Sequence, residues 1–128
     1  MHIVATPNAP QARGPYAQGI VANGFLFAAG QVALHPATGE LVQGGVDVQA
    51  RRVLDNLKAV LEAAGTSLEH VVKATVYLTD MGQFEIVNQI CAEHFGRHTP
   101  ARSTIAVSGL PLTAAIEVDV VALLGNQA

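Results

Sequence analysis

Residues 99–119, TPARSTIAVSGLPLTAAIEVD, hold the two side chains best suited to acting on a small anion, Arg102 and Glu117. A guanidinium presents N–H donors in a fixed plane that matches a carboxylate two bonds at a time, and a glutamate can take up and return a proton. Pro100 bars a helix, so residues 101–107 are predicted as a strand with Ile105 and Val107 on its core face and Arg102 and Thr104 on the other. After the turn-rich Ser108-Gly109-Leu110-Pro111, a second strand alternates Ile116, Val118, Val120 and Ala122 inward with Glu117, Asp119 and Val121 outward. The expectation is two neighbouring strands whose charges both leave the core side. For Arg102 the pattern leaves two readings open, a solvated edge charge and a fork held to grip a planar carboxylate.

Other groupings are weaker. Cys91, His94 and His98 stand three and four apart, a spacing that suits metal ligands on one helix face, but Gly96 interrupts that helix. They are expected to be a buried thiol and surface imidazoles, with no metal bound. His2, His35 and His70 fall at predicted ends and turns. Ser103 has no adjacent base, and its strand parity places it on the core side as a structural serine. Gly44-Gly45 lacks the lysine and strand context of a phosphate-binding loop. Tyr16 reads, by residue type alone, as a hairpin aromatic packed on a sheet.

The elements that must position these residues belong to one domain spanning residues 1–128. Charged residues make up 13% of the chain, where a soluble domain ordinarily carries about a quarter, so oligomerisation is expected to cover part of the surface. A net charge of −3 with scattered basic residues excludes a basic patch for nucleic acid. The long uncharged run at residues 103–116 contains Ser108, Gly109, Pro111 and Thr113, so no membrane span is expected. One cysteine excludes an internal disulfide, and the N-terminal residues lack a signal peptide's pattern, which together predict a cytoplasmic protein.

Residues 16–22 and 25–32 read as strands joined by Asn23-Gly24, the turn pair that tolerates positive φ at both positions. Asp47 is expected to cap a helix running to about Ala64 and ending at Gly65, with Val53, Leu54, Leu57, Val60 and Leu61 buried. Residues 71–78 are β-branched and apolar, a central strand. Asp80 then caps a second helix that turns Phe84, Val87, Ile90, Cys91 and Phe95 inward and ends at Gly96. The order ββ-α-β-α-ββ predicts an α+β fold, a mixed sheet with both helices packed on one face and the other face left for partners.

Pro100-Ala101-Arg102-Ser103, Gly109-Leu110-Pro111 and Ile116-Glu117-Val118 together resemble the signature of the reactive-intermediate deaminase family (RidA, also called YjgF). The likeness extends to Gly14-Pro15-Tyr16-Ala17-Gln18-Gly19, Ala29-Gly30-Gln31, Leu54-Asn56-Leu57 ahead of Ala63-Ala64-Gly65, and Val72-Lys73-Ala74-Thr75-Val76. That resemblance implies a chorismate-mutase-like fold assembling as a homotrimer around a central barrel, with sites in clefts between subunits. It implies hydrolysis of enamines and imines such as 2-aminoacrylate and 2-iminopropanoate to 2-keto acids and ammonia, without a cofactor. In the implied site Arg102 binds the substrate carboxylate with help from the Gly30 N–H, and Glu117 and the carbonyl of Thr104 hold the attacking water. Tyr16 and Asn88 line the pocket. Thr104 stands where many members have cysteine, Ala29 replaces a common serine, and Thr99 replaces a common aromatic. A wider pocket would suit a bulkier enamine acid such as 2-aminomuconate. A non-catalytic trimer that senses keto acids is the alternative from another class, against which Glu117 argues.

Overall fold

The computed structural model describes residues 1–124. Six strands form one sheet in the order β1 (His2–Val4), β2 (Gly19–Ala22), β3 (Phe25–Gln31), β6 (Ile116–Leu123), β4 (Val71–Leu78) and β5 (Ala101–Ala106). All pairings are antiparallel except β4 with β5. Asn23 and Gly24 take φ of 52° and 81°, as the β2–β3 hairpin requires. β4 and the inward residues of β6 follow the sequence expectation, while β1 is an additional edge strand and β2 begins at Gly19 rather than Tyr16.

Helices α1 (Val46–Ala63) and α2 (Phe84–Phe95) cover one face. Val53, Leu54, Leu57, Val60 and Leu61 of α1 are fully buried against Leu26 and Ala28 of β3, Val76 and Leu78 of β4, and Val118 and Val120 of β6. That apolar stripe fixes α1 on the sheet by removing five large side chains from water. The α1 N-cap is Gly45, whose side chain can offer no hydrogen bond, and Asp47 lies inside the first turn, where its charge favours the helix dipole rather than capping it. Asp80 does cap, accepting the Gly82 N–H at 2.9 Å, but the element it starts is a single 3-10 turn, and α2 follows from Phe84.

Two expectations about β5 are corrected. β4 lies between β5 and β6, so the strands that carry Arg102 and Glu117 are not neighbours. The β5 register, Ala74 with Arg102 and Val76 with Thr104, also turns Arg102 and Thr104 toward the helices, whereas Ser103 and Ile105 join the open face. Ile105 is accordingly 44% exposed, and Ser103 Oγ accepts from Lys73 Nζ at 2.9 Å instead of entering the core. At an edge strand both faces are only partly covered, so apolar alternation no longer tells which face the helices take.

Buried polar side chains on α1 secure the segments that flank β3 and β6. Asn56 donates to Leu34 O at 2.9 Å and accepts from Arg52 Nε at 3.0 Å, while Gln49 Oε1 accepts the Ala115 N–H at 2.9 Å. Asn56→Ala is expected to destabilise the protein by about 1–3 kcal/mol, because it orphans a buried carbonyl, and urea unfolding will measure this.

Candidate active site

Glu117 occupies the open face of β6, an outward position in a strand whose Ile116 and Val118 are buried. Beside it, β3 carries a register shift opposite Asp119, between Ala28, paired with Val120, and Gln31, paired with Val118. Two residues, Ala29 and Gly30, therefore face one residue of β6, a bulge that swings Gly30 against the Glu117 side chain. A Cβ built on Gly30 would lie 2.8 Å from the carboxyl carbon of Glu117, so only glycine allows this approach. Burial first, and the Asp119 charge second, raise the Glu117 carboxyl above its ordinary value of 4.5. A carboxyl in this setting exchanges its proton closer to neutrality than a solvated one.

Arg102 sits on the opposite face and at the sheet edge. Phe84, Asn88 and Cys91, spaced four and three apart, form the stripe of α2 that faces it. The guanidinium donates to Asn88 Oδ1, and its carbon lies 5.6 Å from the centre of the Phe84 ring. Burial pushes the Cys91 thiol up while the Arg102 charge partly offsets this. Among the described residues Arg102 has no carboxylate partner, the salt bridges being Arg51–Glu93 and His94–Asp55. A cleft of about 270 Å³ beside it is lined by Asn88, Cys91, Phe95, Thr99 and Pro100.

Thr104 lies half-buried on the same face as Arg102. The Val107 N–H donates to Leu78 O at 2.8 Å, so the backbone groups of Ser103 and Ile105 point toward β4. By strand alternation those of Arg102 and Thr104 point to the open edge. Tyr16 belongs to the irregular arm before β2 and is 54% exposed, its hydroxyl accepting the Arg13 N–H at 3.2 Å. Gln18 secures that arm, accepting from Thr6 N–H at 2.6 Å and donating to Pro10 O at 2.8 Å. Residue-pattern reasoning did not single out Gln18; its signal, a polar residue next to Gly19 at the start of a strand, is faint.

The chain thus brings Gly30 to Glu117 and Asn88 to Arg102, but it does not bring the two pairs together. The strand β4 and the thickness of the sheet separate them, and Tyr16 lies in the arm leading into β2, a strand four spacings or about 19 Å from β5. A surface cleft of about 960 Å³ near Glu62, Glu69, Glu93 and Arg97 contains none of these residues. Cys91, His94 and His98 are engaged separately: His94 Nδ1 with Ile90 O, His98 Nε2 with Val71 O, and Cys91 beside Arg102. Among the described residues no three potential ligands gather for a metal.

The family profile described as Endoribonuclease L-PSP matches residues 6–124. A RutC family protein of Synechocystis is 51% identical over 126 residues, 97% of each chain. The solved structure of a Yersinia pestis protein of the conserved Rid family superposes with a TM-score of 0.94 at 44% identity, covering 96% of this chain and 98% of that one. The chain belongs to the RidA/YjgF (Rid) family. Among its relatives, the chloroplastic Reactive Intermediate Deaminase A of Arabidopsis thaliana is 43% identical over 122 residues, which is 95% of this chain and 65% of that longer protein. No described helix of this Rid-family chain is long and apolar enough to cross a membrane.

The raised Glu117 carboxyl has a consequence for stability. A group that binds its proton more tightly when folded stabilises the protein fully below its unfolded value and loses that contribution as pH rises through its folded value. Glu117→Gln, which keeps the protonated shape without the charge, is therefore expected to raise Tm relative to the parent at about pH 7–8 but not at about pH 4. Scanning calorimetry across that range is the check.

Proposed function

We propose that this Rid-family protein is a 2-iminobutanoate/2-iminopropanoate deaminase-type hydrolase, converting reactive enamine and imine acids of the 2-aminoacrylate type to 2-keto acids and ammonia. The observation that carries this reading is the state of Arg102. Its partners are an amide, an aromatic ring and the Cys91 thiol, so its charge is left for an anion, and the planar fork matches the carboxylate of a 2-imino acid. The imine carbon is already electrophilic, so the reaction invokes no metal or organic cofactor.

With the carboxylate on Arg102, water held by Glu117 and the edge-facing carbonyl of Thr104 attacks the imine carbon. Glu117 removes a proton from that water as the C–O bond forms, then returns it to nitrogen. Glu117 then carries the proton of the new hydroxyl to the amine, the C–N bond breaks, ammonia leaves and the C=O of the keto acid remains. Gly30 places Glu117, its N–H assists at the carboxylate, and Tyr16 and Asn88 wall the pocket.

Because Arg102 and Glu117 lie on opposite faces of one sheet, the working pocket on this reading is a cleft between subunits. A homotrimer closed around the open face supplies it. That face carries Phe27, 47% exposed, together with Ile105 and the half-buried Val121 and Leu123, apolar surface that a partner would cover. The net charge of −3, in turn, argues for a small-molecule substrate over nucleic acid.

Glu117→Gln is expected to slow turnover of 2-iminopropanoate generated in situ by about 10²-fold or more. Arg102→Lys keeps the charge but loses the fork, so it should retain attraction while misaligning the substrate, and Arg102→Ala should lose more. Sedimentation equilibrium is expected to give a trimer for all three. Mixing Glu117→Gln with Arg102→Ala under subunit exchange should restore roughly a quarter of the sites, since one interface in four pairs two intact residues. No recovery would assign both residues to one chain's site and overturn the composite cleft.

A further inference from the structure

Asp119 shares the open face with Glu117, two residues farther along β6. Its Oδ2 accepts from the Tyr77 hydroxyl at 2.9 Å, and Tyr77 is the residue paired directly across from Glu117. One tyrosine therefore flanks the carboxyl of Glu117 and holds the charge beside it. The groups facing Glu117 from its neighbours are few. β4 offers Tyr77 and, four residues away on the same face, Lys73, whose ammonium donates to Ser103 on β5. β3 offers Ala29 and Gly30 at its bulge, neither of which titrates. No salt bridge among the described residues includes Asp119.

We propose that Asp119, locked in place by Tyr77, is a positioning residue that sets the strength of Glu117 as a base. The proposal rests on the reading of Glu117 as the proton carrier. Two carboxylates on one strand face, their α-carbons about 6–7 Å apart, repel, and no salt bridge among the described residues neutralises the second charge. The repulsion makes an ionised Glu117 take a proton from water more readily and hold it until nitrogen accepts it. The Tyr77 bond keeps the Asp119 charge from turning away. In agreement, the Asp119 charge is the second cause, after burial, that raises Glu117, and the bond to Asp119 is the first cause that raises Tyr77, which keeps its phenol a donor at neutral pH.

The test follows Glu117 by two readouts, the pH dependence of kcat/KM and the NMR titration of its carboxyl carbon. Activity requires an ionised base, so it falls as pH drops through the Glu117 transition. Asp119→Asn, which keeps the shape and removes the charge, is expected to move both the acid limb and the NMR transition to lower pH. On the acid limb the variant should retain roughly threefold or more of the relative rate that the parent retains. Tyr77→Phe should move both in the same direction by less, and should add nothing in the Asp119→Asn background. A uniform loss of rate at every pH, with the limb and the NMR transition unmoved, would overturn the proposal and leave Asp119 a structural residue. If the NMR transition moves in a protein that does not hydrolyse 2-iminopropanoate, the charge coupling stands and the deaminase reading falls.

Discussion

The insertion of β6 between β3 and β4 is the constraint on which the site depends. A chain that ran its last two strands as a hairpin would set Arg102 and Glu117 side by side. Here the final strand crosses to the middle of the sheet and pairs antiparallel on both sides, leaving β5 alone at the edge. The central position buries the inward residues of β6 completely and fixes its register from two directions, so the outward Glu117 is held by the most constrained strand of the fold. Arg102 stands on the least constrained one and needs α2 to hold it. The Phe84, Asn88 and Cys91 stripe does so through a ring, an amide and a thiol, none of which cancels its charge at neutral pH.

Around Glu117 the sheet departs from regularity where chemistry would need it. The bulge at Ala29-Gly30 brings a residue without a side chain to the carboxyl, so water is partly displaced by backbone. Desolvation then raises the carboxyl's proton affinity, and the like charge of Asp119 adds to it. The same outward face carries Tyr77, Lys73 and Ser103, paired as Tyr77–Asp119 and Lys73–Ser103. It is thus a polar strip bordered by Phe25, Phe27 and Ile105.

One side of the sheet is closed by helices and the other is not, and the low charge content follows from this. In a chain with 13% charged residues, the apolar border of the open face lacks the charges that monomeric sheets use to repel partners, and Arg102 is the one charged residue of β5. On the proposed reading, the separation of Arg102 from Glu117 within one chain calls for a site shared between copies.

Much of this was legible in the amino-acid sequence. The α1 stripe from Val53 to Leu61, the Asn23-Gly24 hairpin, the central strand at residues 71–78 and the in-out alternation of Ile116 to Ala122 are local periodicities, and local periodicity survives folding when one face is fully buried. Motif order was enough to identify the family. What the sequence could not decide was anything set by pairing at a distance: that β4 separates β5 from β6, that β5 turns Arg102 rather than Ile105 toward the helices, and that a bulge brings Gly30 to Glu117. Strand order and register depend on long-range hydrogen bonds whose partners leave no spacing signal in either strand, and at an edge the hydrophobic pattern loses its meaning because neither face is fully withdrawn from water. The candidate residues were therefore named from the sequence, while their placement on two faces of one sheet was decided only by the tertiary structure.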